Sequence, residues 1–87
     1  MNHGGAVYLM ASDNNKALYV GVTNNLARRV AEHKAGVNKG FTEKYHCHKL
    51  VYWEGFGTIE EAIVREKRLK NWRREWKNRL IIEKNPR

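Results

Sequence analysis

The chain has 87 residues, 41% of them hydrophobic, and a formal net charge of +8. That length supports one domain over residues 1–87 with a modest core, and apolar residues recurring among 30% charged ones exclude a disordered polyelectrolyte. No run approaches the ~18 apolar residues of a membrane span, MNHGGAVYLM lacks the basic start of a secretory signal, and one cysteine excludes an internal disulfide, so a cytoplasmic address is expected.

Gly5 to Ala11 is almost continuously apolar and ends at the turn formers Ser12, Asp13, Asn14 and Asn15; Ala17 to Val22 is a second apolar run. Together they predict a β-hairpin covered on both faces. A two-residue turn at Asp13-Asn14 would set Tyr8 opposite Tyr19 on one face, whereas a three-residue turn would part them, and the sequence leaves the register open.

Thr23 or Asn24 can cap the next helix, expected from Asn24 to Ala35 with Gly36 as its stop. With Leu26 at zero, an advance of ~100° per residue puts Val30 at ~40°, Ala27 at ~100° and Ala31 at ~140°, a core stripe. Arg29 at ~300° and His33 at ~340° border that stripe one turn apart, while Arg28 and Glu32 point away.

Asn38 to Lys44 reads as a loop, and Leu50 to Trp53 as a third strand. In His46-Cys47-His48 alternate side chains of a strand part to opposite faces, so an ordinary packed cysteine is the better reading than a metal site. Thr58 followed by Glu61 is a capping-box signature for a second helix. Its stripe of Ile59, Ala62, Ile63 and Leu69 includes Glu66 at ~340°, where a carboxylate needs a partner or a ligand. An i, i+4 pair with Lys70 is one answer; a functional role is the other. A third helix from Arg74 to Glu83 is expected to pack through Trp76 and Leu80, with Trp72 a turn earlier. The three tryptophans read as packing residues rather than a base-stacking platform.

The positive charge is uneven. Residues 56–87 hold ten Lys/Arg against five Asp/Glu, and residues 65–79 alone hold eight against two. Such a field attracts polyanions, nucleic acid above all, although a solvated helical face has the same composition.

Ala6-Val7-Tyr8, Tyr19-Val20-Gly21 eleven residues after Tyr8, Arg29 and His33 together resemble the signature of the GIY-YIG nuclease family. The chain is similar to that family's small single-domain bacterial members and to the nuclease domain found at the N-terminus of an excinuclease. The resemblance continues through FTEKYHCHKLVYWE and EAIVREKRLKNWRREWK, so it spans nearly the whole chain; Ala6 stands where the family usually has Gly, and Val replaces Ile in both triplets.

The resemblance implies an α+β fold, a small three-stranded antiparallel sheet flanked by three helices, and a metal-dependent endonuclease acting on DNA, with RNA open. It places Tyr8 and Tyr19 beside the attacking water, with Tyr8 as general base, Arg29 on the scissile phosphate, His33 supporting them, and Glu66 as ligand to one Mg²⁺ or Mn²⁺. The residue types suit that chemistry. Arginine offers a planar charged fork to phosphate oxygens, and Mg²⁺ needs only one or two protein carboxylates. Tyrosine, with an ordinary pKa near ~10, needs help to act as a base at neutral pH. Lys44, Tyr45, Arg65, Arg68, Lys70, Arg73, Arg74 and Lys77 are the expected contacts to the nucleic-acid backbone. The alternative is a nucleic-acid-binding module on the same scaffold that does not cut.

Overall fold

The structure is a computed structural model, described for residues 4–35 and 47–84. Its element order is β1 (Gly5–Ser12), β2 (Leu18–Thr23), α1 (Leu26–Ala35), β3 (Cys47–Phe56), α2 (Ile59–Lys70) and α3 (Arg74–Lys84). The strands form one antiparallel sheet in the order β2-β1-β3. This is the expected α+β arrangement. The third strand is longer than the apolar run Leu50 to Trp53, because pairing with β1 carries it from Cys47 to Phe56 through register shifts opposite Leu9/Met10 and Ala11/Ser12.

β1 is the central strand, and all eight of its residues are buried. Alternate side chains therefore build two separate cores. On one face Tyr8, Met10 and Cys47 pack with Leu26 and Val30 of α1. On the other, Val7, Leu9, Val20 and Tyr52 pack with Ala62 and Leu69 of α2, and with Leu80 and Ile81 of α3. Gly5 lets α2 approach: a Cβ there would lie 2.8 Å from Ile59 Cδ1 and 2.9 Å from its Cα.

The hairpin settles the register question in a way neither short turn anticipates. Ala11 pairs with Leu18, Ser12 N–H bonds Ala17 O at 3.0 Å, and Asn15 takes a positive φ of 61°. The loop between them is thus Asp13 to Lys16. Its even length keeps Tyr8 and Tyr19 on one face but sets them diagonally, with Tyr8 opposite Gly21 and Tyr19 opposite Met10.

Asn25, rather than Thr23 or Asn24, caps α1, since its side-chain oxygen accepts from Arg28 N–H at 3.1 Å. Thr23 instead accepts from Asn25 N–H at 3.1 Å. The buried side of α1 is also rotated from the expected stripe: Ala27 and Ala31 are exposed, whereas His33 is buried. The capping box of α2 forms, with Glu61 N–H donating to the Thr58 hydroxyl at 3.2 Å. In α3, Leu80 and Ile81 face the core while Trp76, expected to pack inward, is 49% exposed and meets Trp72 edge-on at 5.9 Å. Gly36, His46 and the expected loop Asn38 to Lys44 lie outside the described residues.

One half-buried ion pair joins β3 to α2. Arg65 Nε and Nη2 each bond a different Glu54 oxygen at 2.9 Å, and Tyr52 O–H also donates to Glu54. The guanidinium lies 5.1 Å from the Trp72 ring centroid. Burial alone would raise the Glu54 pKa, but the bonds from Arg65 and Tyr52 outweigh it and hold the carboxyl below its ordinary range. Tyr52 is pushed up to about 12, by burial first and by its bond to Glu54 second.

Arg65→Ala leaves that carboxylate half-buried and short of its charge partner, and is expected to cost about 2–3 kcal/mol in urea unfolding at pH 7. Because the folded-state pKa of Glu54 is depressed, the pair's contribution is full above the unfolded-state carboxyl pKa of 4.5 and is lost as pH falls through the lower folded value. The gap between wild type and variant should accordingly narrow in acid.

Candidate active site

The sheet face under α1 brings three of the expected residues into contact. Tyr8 comes from the central strand, Tyr19 from the edge strand β2, and His33 from the last turn of α1. The Tyr8 phenol and His33 Nε2 are hydrogen-bonded at 3.0 Å. Ring centroids are 6.2 Å apart for Tyr8 and Tyr19, and 5.5 Å from His33 to either tyrosine.

Gly21 makes this cluster possible. It stands directly across from Tyr8 in the ladder, and a Cβ at that position would lie 2.5 Å from the Tyr8 hydroxyl and 2.8 Å from Tyr19 Cε2. The glycine of Tyr19-Val20-Gly21 is therefore the floor on which the Tyr8 ring rests. Ala6, by contrast, pairs with Thr23 and Gly55 in ordinary strand geometry, and Asn15 is the non-glycine residue with positive φ among those described. Ala in the first triplet fits for that reason.

Arg29 lies one turn before His33, with its side chain 35% exposed and Nη1 3.4 Å from Glu32 Oε1. Its charge reaches both Tyr8 and His33. Glu32 does not point away as the projection implied. It pairs with Arg29, lies 4.0 Å from Arg28, and places a negative charge within reach of both buried rings.

Protonation follows from this setting. Burial, reinforced by Tyr19, pushes the Tyr8 phenol above the usual tyrosine range, with Arg29 opposing. Burial and then Arg29 lower the His33 pKa, so its imidazole is neutral at pH 7. Neutral imidazole has one N–H. Either Tyr8 O–H donates to Nε2 and the ring proton sits on Nδ1, or Nε2–H donates to the phenol oxygen. In both arrangements Nδ1 is buried with no hydrogen-bond partner among the described residues.

Glu66 belongs to α2, where it is 8% exposed beside Ala62 and Leu69. Lys70 Nζ lies 2.5 Å from its Oε2, so the anticipated i, i+4 pair forms. Lys70 is also within charge reach of Tyr19.

The residues expected to meet a nucleic-acid backbone are in varied settings. Arg68 and Arg73 are exposed, with Arg73 6.0 Å from the Trp76 ring centroid. Lys77 is half-buried, and burial followed by the Arg74 charge lowers its pKa. Arg65 is held by Glu54, and Arg74 donates to Asn15 O at 2.6 Å and Lys16 O at 3.1 Å. Lys44 and Tyr45 lie outside the described residues. Cys47 is buried in the core beside Tyr8 and Met10, and the described residues contain no group of three or more His, Cys, Asp or Glu poised around a cation.

A family model for the GIY-YIG catalytic domain matches residues 4–79. The chain belongs to the GIY-YIG family of nuclease domains. A UPF0213 protein of Haloquadratum walsbyi is 36% identical over 83 residues, which cover 95% of this chain and 92% of that protein. A UPF0213 protein of Staphylococcus haemolyticus is 36% identical over 78 residues, 90% of this chain and 94% of that one. The solution NMR structure of a UPF0213 protein from Bacillus halodurans has a TM-score of 0.55 at 27% identity, covering 88% of this chain and 81% of that chain.

GIY-YIG nucleases generally depend on a divalent metal, and the donor set here fits one. Glu66 is a hard, buried carboxylate held at one oxygen by an ammonium, which shows that the position accommodates a positive charge. A lone carboxylate suffices for Mg²⁺, which keeps most of its waters and binds substrate phosphate. No described helix is long and apolar enough to cross a membrane.

The lowered His33 pKa has a measurable sign. The unfolded chain takes up the proton first, near the ordinary value of 6.5, while the folded state resists it. The resulting stability is full above 6.5 and is lost as pH falls from there toward the lower folded value. Wild-type unfolding free energy, followed by denaturant titration, should drop between about pH 7.5 and 5.5. His33→Gln should be less stable at pH 7.5 and flatter over that range.

Proposed function

We propose that this chain hydrolyses phosphodiester bonds in nucleic acid, with DNA as the substrate class. The observation that carries the reading is the buried Tyr8–His33 hydrogen bond, set within charge reach of Arg29 and floored by Gly21. A structural core would be better served there by aliphatic side chains, which bury no imidazole whose Nδ1 lacks a partner among the described residues.

Arg29 binds the scissile phosphate with its planar fork, exchanging its contact with Glu32 for one with phosphoryl oxygens. Tyr8 cannot ionise on its own at neutral pH in this environment. It acts instead as a relay: its oxygen accepts a proton from the attacking water while its own proton passes to His33 Nε2, so the phenol stays neutral throughout. Phosphate bound at Arg29 offsets the charge that depresses His33, and His33 becomes more basic as substrate arrives. Tyr19, beside both rings, orients the water. Glu66 is the carboxylate that would hold a divalent ion, which when bound supplies charge neutralisation at the phosphoryl and leaving oxygens.

Of the expected backbone contacts, Arg68 and Arg73 are exposed and available to a polyanion, whereas Arg65 and Arg74 are engaged in holding the fold. A non-cutting nucleic-acid-binding module is the second reading, and the Lys70 ammonium on Glu66 is the observation that favours it.

The test is plasmid nicking with Mg²⁺ or Mn²⁺ and without either. The wild type is expected to nick only with the ion, and Arg29→Ala, Glu66→Gln and Tyr8→Phe should each slow nicking by about 100-fold or more while keeping the native circular dichroism spectrum. Salt-sensitive DNA binding with no nicking under any of these conditions would establish the binding module instead.

A further inference from the structure

Lys70 and Glu66 are unequal partners. The Glu66 side chain is 11% exposed and set on the packed face of α2, whereas the Lys70 side chain is 55% exposed. The carboxylate is fixed by its surroundings, and the ammonium reaches it on a flexible stem from solvent. A buried carboxylate requires a counter-charge. An ammonium and a divalent ion both meet that requirement, but two cations at one carboxylate repel each other strongly where water is scarce.

We propose that Lys70 is a built-in stand-in for the divalent ion, neutralising Glu66 until the ion displaces it and then turning its ammonium to the phosphate backbone of bound nucleic acid. This rests on the reading of Glu66 as the ion's ligand. The pair is poised for exchange because only one partner has to move, and an i, i+4 pair with an exposed lysine is weakly held. The displaced ammonium also has a destination. Tethered one helical turn from Glu66, it stays beside the ion that replaces it, where a phosphate bound to that ion would lie. Ion and phosphate would then each take one half of the Glu66–Lys70 pair, and the binding of one would favour the other.

Mn²⁺ binding to the full chain without nucleic acid, measured from the free-ion electron paramagnetic resonance signal, tests the exchange. Lys70→Gln keeps a hydrogen-bond donor but removes the competing charge, and should bind Mn²⁺ about three- to tenfold more tightly than wild type. Lys70→Arg, which can hold the carboxylate by two bonds, should bind it more weakly, and serves alone if the Gln variant does not fold. Unchanged affinity in the folded variants would overturn the proposal.

Glu66→Gln separates this failure from that of the underlying reading, because Mn²⁺ binding should vanish in it. If Mn²⁺ binding survives there at wild-type strength, Glu66 is not the ligand and both fall. For the second half of the exchange, a fluorescent oligonucleotide is titrated into Tyr8→Phe protein, in which cutting is expected to be slow enough for binding to be read first. Mn²⁺ should tighten its binding more with Lys70 present than in the Tyr8→Phe, Lys70→Gln protein, and equal tightening would remove phosphate as the destination.

Discussion

Everything in this fold is arranged around a strand that has no solvent face. β1 is covered by α1 on one side and by α2 and α3 on the other, and flanked by a strand along each edge. Any polar group it carries must find its partner inside the protein or go unsatisfied. Tyr8 is the large side chain for which this matters, and its hydroxyl meets His33 while its ring rests over Gly21. Moving Tyr8 would require a different residue at 21, a different end to α1 and a different hairpin register. Three separate stretches of chain are therefore chosen around one phenol.

Much of this could be read from the sequence where the deciding forces are local. The apolar runs, the Thr58 to Glu61 cap and the third helix starting at Arg74 all depend on neighbours a few residues apart. Periodicity also isolated Glu66 as a carboxylate in an apolar stripe, which is where it lies. What periodicity lacks is phase. Leu26 and Val30 fit a stripe centred toward Ala27 or one centred toward His33, and the choice fell to His33 because Tyr8 supplies a polar partner on that side.

Distant pairings were equally hidden. Glu54 and Arg65 are eleven residues apart, and Arg74 bonds carbonyls 58 and 59 residues away. No spacing rule announces such contacts. Trp76 was misplaced for a related reason: an aromatic at helical spacing from Leu80 looks like core, but Trp72, Leu80 and Ile81 already contribute to that side of the sheet. The two tyrosines shared a face because the loop has an even number of residues, although its length was four rather than two.

The last helix is held at both ends. Arg74 ties its start to the carbonyls of the first loop, and Lys84 near its end lies 5.2 Å from the Trp53 ring centroid. Basic charge on a loose tail raises the local concentration of a polyanion but does not tell the body of the protein which way to turn. Charge on a helix clamped at two points moves with the sheet as one rigid object. The pull of a distant polyanion on α3 then acts as a torque on the whole molecule, and orientation starts before contact.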